Sequence, residues 1–269
     1  TGVQAYRQAL SVTGQNIANI NTEGYNKRSA DINEVAGVSG GPTNVSDSSG
    51  LGVRVTNVRR SFDAYLSDKT RSSQSDYEML NDFVSKLSDL ENMLLPSGSD
   101  LGVFIGRFFD SLQEIASNPD SVSARTIALE SGKALASSFN SYDDQLKNFK
   151  SGALRQIDVK NTEVNLYINQ LVQVNKLIAT SGSKEASNDV LDARDLLLKD
   201  LSKLMNFTVD YSKTGEAIVR LGDSGNGAYL VNRNKGAIVS SVSDGTNVSL
   251  VVNNDGVETT GRFSTGVLS

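Results

Sequence analysis

Between Ser121 and Thr180 the chain holds no proline and little turn chemistry, so nothing stops a helix from running the whole length of that stretch. At 1.5 Å per residue such a helix spans roughly 85–90 Å. A compact globule of this chain length has a diameter of only about 50 Å, so the helix predicts an elongated molecule. From Ile157 onward the apolar seam is regular: Ile157, Val164, Leu171 and Ile178 fall seven apart, with Asn161, Ile168 and Asn175 between them. That is the spacing of a coiled-coil face, and asparagine at two seam positions restricts register. Gly132 and Gly152 each cost about 1 kcal/mol relative to alanine inside a helix, which makes them the weak points of an otherwise continuous helix.

Other helices flank this spine. Phe62 to Leu95 carries Leu66, Leu80, Leu87 and Leu94 in one heptad phase, with Tyr77, Val84 and Leu90 beside them, and Pro96-Ser97-Gly98 ends it. Asp100 to Ser117 offers Leu101, Phe104, Ile105, Phe108, Phe109, Leu112 and Ile115 for burial. Its Gly102 and Gly106 form a G-x-x-x-G step, read here as close backbone packing. Beyond the spine, Ser181 to Asn188 reads as a polar turn and Asp189 to Met205 as a helix running back along it. Asp189 and Asp192 suit the positive end of that helix's dipole, and Asp195 can pair with Lys199. Helices joined by short turns predict an antiparallel bundle.

From Phe207 the period changes from helical to alternating. Phe207 to Tyr211, Glu216 to Leu221, Ala228 to Val231, Ala237 to Val242 and Val248 to Val252 read as short strands of one antiparallel meander. So small a sheet makes a marginal domain, and this β-domain looks truncated. Nearer the N-terminus, Ala30 to Val35 and Val53 to Val58 alternate as strands of a long hairpin whose loop is the Gly/Ser/Asn-rich stretch Gly37 to Gly52. The fold class expected is therefore α+β, mainly α: an elongated antiparallel helical bundle with long heptad-bearing helices and a small antiparallel β-domain.

Composition limits the chemistry. The chain has no histidine and no cysteine, which removes the usual general base near neutral pH, thiol chemistry and the commonest metal ligands. Gly222-Asp223-Ser224-Gly225 resembles the surroundings of a serine nucleophile, but without histidine it reads as a hairpin loop. Asn253-Asn254-Asp255-Gly256 lacks the alternating carboxylates of a calcium loop and reads as a turn. A net charge of −5 with no basic cluster longer than a pair gives a phosphate backbone no track, so no nucleic-acid partner is expected. No apolar run approaches the length of about 18 residues needed to cross a bilayer, so no membrane partner is expected either. No cofactor, metal or catalytic residue is expected. What remains is either an extracellular structural subunit or a helical scaffold or adhesin with a small β-module.

The first residues narrow the choice. Val3, Tyr6, Leu10, Thr13, Ile17 and Ile20 make one narrow stripe on a helix from Thr1 to Ile20, and such a stripe wants a partner helix that this sequence does not hold. The helix is expected to be mobile on its own. It ends in Asn16-Ile17-Ala18-Asn19, Asn21-Thr22 and Gly24-Tyr25, followed by Lys27 and Arg28. This pattern resembles the N-terminal signature of the bacterial flagellar axial proteins, the family of rod, hook and hook-associated proteins. Many rod and hook members have proline where this chain has Glu23. The run Gly52-Val53, Val55, Val58, Arg60, Asp63-Ala64 and the stretch Asn188, Leu191-Asp192, Arg194-Asp195, Leu197, Leu201 resemble the hook-associated members in particular.

The resemblance implies a non-catalytic subunit joining hook to filament, with Asn16, Ile17, Asn19, Asn21, Thr22, Gly24 and Tyr25 as its assembly motif. It also implies residues 1–25 as an assembly segment, 26–205 as an elongated helical domain carrying the hairpin at 26–60, and 206–269 as the start of a β-domain. The implied partners are copies of itself in a ring, the hook protein and neighbouring hook-associated or filament proteins. The subunit would be exported by the flagellar type III route without a cleaved signal and be monomeric before assembly.

Overall fold

A computed structural model describes residues 2–35, 52–94, 101–181, 186–245 and 247–261. The chain opens with helix α1 (Gly2–Ala18), continues into hairpin strands β1 (Arg28–Glu34) and β2 (Val53–Arg60), and then into helices α2 (Ala64–Leu94) and α3 (Leu101–Ser117). The spine follows as α4 (Val122–Thr180), and α5 (Asn188–Ser202) returns along it. The expected hairpin loop, the Pro96-Ser97-Gly98 stop and most of the turn after the spine lie outside the described residues.

Helix α4 is unbroken over 59 residues, about 88 Å of axis. It runs through Gly132 and Gly152 without a break. Ser121 caps its first turn by accepting from the Ala124 N–H at 3.2 Å. Gly132 serves a close approach, since a Cβ there would stand 3.2 Å from the Phe108 ring of α3. Gly106 does not, because a Cβ on it would meet nothing within 4 Å. The tight contact between the two helices is thus made at the glycine of the spine. The protein exposes 17098 Å², about one and a half times the ~11,000 Å² of a compact monomer of this mass, as an elongated body must.

The β-region departs from the single meander. Strands β3 (Phe207–Tyr211), β4 (Ala217–Leu221), β5 (Tyr229–Asn232) and β6 (Lys235–Gly236) form one antiparallel sheet in sequence order. Strands β7 (Ile238–Ser243), β8 (Val248–Asn254) and β9 (Val257–Gly261) form a second. The short β6 and the β9 strand, which closes on the Asp255-Gly256 turn, have too weak an apolar alternation to be read from sequence. Both sheets lean on α4. The buried core joins Val164, Ile168 and Leu171 of α4 and Leu198 and Leu201 of α5 to Val219, Leu230, Val231, Val239 and Val252 of the strands. Among the described residues, the heptad seam of α4 therefore packs against α5 and the two sheets.

Two asparagines lock this packing. Asn175 donates to the carbonyls of Ala217 at 2.8 Å and Arg233 at 2.7 Å, and accepts from the Ala217 N–H at 2.8 Å. Asn165 makes the same reciprocal pair with the backbone of Val239, both bonds at 2.8 Å. Replacing Asn175 with leucine would leave the buried N–H and carbonyl of Ala217 without this partner, together with the part-buried Arg233 carbonyl. Asn175→Leu is expected to lower stability by about 2–4 kcal/mol in urea unfolding, whereas Gly106→Ala, in open space within a helix, should raise it by about 0.5–1 kcal/mol.

Candidate functional site

The turn after α1 is built by its own side chains. Asn16 accepts from the Tyr25 hydroxyl and from the Arg28 N–H, both at 2.9 Å, and donates to the Arg28 carbonyl at 2.8 Å. It thereby pairs with the first residue of β1 as a neighbouring strand would. Asn19 donates back to the Gln15 carbonyl at 2.9 Å and accepts from the Thr22 hydroxyl at 3.1 Å. Gly24 has φ of 80°, and a Cβ on it would lie 3.0 Å from the side chain of Leu196 on α5. Both the backbone angle and the space therefore require glycine. Ile17, Asn21 and Thr22 are exposed. The motif thus divides: Asn16, Asn19, Gly24 and Tyr25 shape the turn, while Ile17, Asn21 and Thr22 face outward.

Helix α1 does not stand alone. Ala5 and Val12 are buried against the hairpin, so the helix is seated on its small-residue face. Its large side chains point away: Val3, Tyr6, Leu10 and Ile17, together with Ile20 just past its end, are each between 67% and 79% exposed.

The three stretches that carry the family resemblance meet in space. Arg28 pairs with Asp189 at 2.6 Å and Asp192 at 3.2 Å, and Arg60 pairs with Asp192 at 3.1 Å and with Asp195. Asp195 also holds Arg194 at 2.7 Å, and Asn26 donates to Asp192 at 2.8 Å. Except for Asp189, these charged side chains are at most 11% exposed. Aromatic rings cover the guanidinium groups: Arg28 lies over Tyr25, Arg60 over Phe62 and Arg194 over Tyr211, at 4.3–4.8 Å from the ring centroids. The expected pairing of Asp195 with Lys199 is not made. Lys199 reaches Glu23 at 2.8 Å, because Asp195 is turned inward onto Arg60 of β2 and Arg194 of its own helix.

The electrostatics follow from this geometry. Burial alone would lower the Arg28 pKa, but its bonds to Asp189 and Asp192 outweigh that and leave it raised. Burial raises the Tyr211 phenol above its ordinary 10.0, with the Arg194 charge only partly opposing. Because arginines and aspartates neutralise one another, the cluster is suited to holding elements in place and offers no free base or nucleophile. Among the described residues no group of three or more His, Cys, Asp or Glu could hold a metal ion, and no helix is long and apolar enough to cross a membrane. The sequence did carry one signal for the cluster: Asp189, Asp192 and Asp195 recur every third residue on one helix face, a density of like charge that needs buried cations opposite.

An elongated helical subunit, with an apolar terminal stripe held outward on an ionic joint, belongs to the class of structural assembly proteins. Residues 87–269 match the family described as the flagellar hook-associated protein FlgK helical domain, and the chain belongs to that family. Residues 1–26, which hold the Asn16-to-Tyr25 motif, match the flagella basal body rod protein family. Flagellar hook-associated protein 1 of Bacillus subtilis (strain 168) is 28% identical over 250 residues, covering 91% of this chain and 49% of the relative. The Salmonella typhimurium protein of the same name is 28% identical over 221 residues, covering 80% of this chain and 39% of the relative. The chain thus spans half or less of the length of these relatives. The solved flagellar hook junction protein FlgK from Burkholderia pseudomallei shares the fold, with a TM-score of 0.67 at 24% identity over 75% of this chain and 37% of that one.

Two measurements check the joint. Gly24→Val should cost about 1–3 kcal/mol in chemical denaturation, because it strains the turn and displaces Leu196 of α5. Tyr211 has a folded pKa raised above the unfolded value of 10.0. Its contribution is complete below that pH and is lost as pH rises through the folded pKa. Melting temperature should therefore fall above pH 10, and Tyr211→Phe should flatten that fall.

Proposed function

We propose that this chain is the assembly and rod portion of a non-catalytic subunit of the bacterial flagellum, placed where hook joins filament. The observation that carries the reading is the outward stripe of α1. Four large apolar side chains on one short helix, and Ile20 just past its end, stay exposed while the opposite, small-residue face is seated on the hairpin. A monomer gains nothing from that arrangement, whereas an assembly buries it between neighbours. Family membership and the extended helical fold support the same reading. Copies of the chain in a ring, the hook protein and neighbouring hook-associated or filament proteins are the partners, and the subunit is monomeric before assembly. It works outside the cell in the flagellum, exported without a cleaved signal, and needs no cofactor.

In this reading residues 1–25 are the assembly segment, 26–205 the helical domain with its hairpin, and 206–269 the beginning of the β-domain. Ile17, Asn21 and Thr22 meet neighbouring subunits, and Asn16, Asn19, Gly24 and Tyr25 hold the turn that presents them. The match of residues 1–26 to rod proteins favours a rod or hook subunit as the second reading.

Leu10→Asp and Ile17→Asp lie on exposed positions and should change the melting temperature by no more than about 2 °C, yet abolish incorporation into flagella. A strain without the gene should be non-motile, build complete hooks and release unpolymerised flagellin. Microscopy that found no hooks would move the chain to a rod or hook position, and normal filaments would rule out a flagellar role.

A further inference from the structure

The unit made of α1, β1 and β2 packs chiefly on itself and is fastened to the rest of the molecule in two ways. One is covalent: Ser61, Phe62 and Asp63 lead from β2 into α2. The other is a set of contacts with α5, made by ion pairs and hydrogen bonds and by Gly24 against Leu196. Asp192 is at its centre. Oδ1 accepts from Asn26 of the turn at 2.8 Å and from Arg60 of β2 at 3.1 Å, while Oδ2 accepts from Arg28 of β1 at 3.2 Å. One carboxylate, 7% exposed, thus ties the turn and both strands of the hairpin to a helix seated in the core.

We propose that Asp192 is a positioning residue, a latch that sets the direction in which α1 leaves the rod and so the register in which its stripe meets a neighbouring subunit. The proposal rests on the assembly reading of α1. The other polar ties across this joint, Arg28 to Asp189, Arg60 to Asp195, Glu23 to Lys199 and the Val58 carbonyl to Asn188, each hold a single element, so Asp192 is the side chain that couples the turn to both strands. A neutral side chain at 192 removes one of the two carboxylates that each buried guanidinium faces, leaving Arg28 with Asp189 and Arg60 with Asp195, and the short Ser61–Asp63 segment then acts as a hinge. Leverage makes the direction matter. Over a helix of about 25 Å, a swing of about 15° moves the far end by about 6 Å, more than one helical turn.

The chain has no cysteine, so Gln8→Cys on α1 and Lys176→Cys on α4 can carry the only two spin labels in the full chain. Distances between them are measured by double electron–electron resonance with Asp192 intact and with Asp192→Asn. The latch predicts a distance distribution at least twofold broader in Asp192→Asn, recovery of the narrow distribution in Asp192→Glu, and at least a tenfold loss of incorporation into flagella that Asp192→Glu restores. If Asp192→Asn disturbs α5 itself, Arg28→Gln/Arg60→Gln, which carries no substitution on α5 and removes both arginines that bind Asp192, must give at least the same broadening. A distribution that stays narrow in both variants overturns the latch. Broadening with normal incorporation overturns its role in setting register. Failure of the assembly reading shows separately, as normal incorporation of Leu10→Asp with Asp192 intact.

Discussion

Both sheets and the returning helix hang on one face of α4, and two different forces hold them there. Apolar contact among Val164, Ile168, Leu171, Leu198, Leu201 and the strand valines supplies most of the attraction. That force has no direction. It would tolerate a sheet sliding along the helix by a residue or two. The amides of Asn165 and Asn175 remove this freedom, because each pairs with both backbone groups of one strand residue, Val239 in the second sheet and Ala217 in the first. Ten residues of helix separate them, about 15 Å, and that spacing fixes where each sheet sits. The other seam asparagine, Asn161, is buried with no hydrogen bond among the described residues.

The opposite end of the returning helix works on another principle. Where α5 meets the N-terminal unit, contact is made by charge pairs and stacked rings, with little apolar burial. Ion pairs buried in this way are costly to form and costly to break singly. They favour one geometry more than they add stability. The molecule therefore combines a core held by burial with a joint held by directional bonds, and the joint governs how the exposed stripe of α1 is presented.

Much of this could be read along the chain. The spine, the flanking helices and β3 came from periodicity, and the turn after α1 came from Asn19, Gly24 and their neighbours. Less legible were contacts that depend on what lies opposite. Asp195 has Lys199 one helical turn away in sequence, yet it turns to Arg60 and Arg194, because folding brings β2 beneath α5. Gly106 offered a helix-packing signature, but the ring that needs space lies against Gly132. The β-region was read as a single meander because alternation reports exposure on two faces and not which strand crosses to a second sheet.

The sequence by itself determined the long proline-free helix, the heptad placement of its apolar and asparagine positions, the N-terminal motif and the absence of histidine and cysteine chemistry. These are local properties, governed by side-chain spacing and backbone preference within a few turns. Only the tertiary structure decided that the seam of the spine would be filled by strands, that the motif and the Asp189-to-Asp195 face would become one ionic joint, and that the large side chains of α1 would point outward. Those outcomes depend on pairings as distant as Arg28 with Asp189, and a buried charge finds its partner only after the fold has removed water from both.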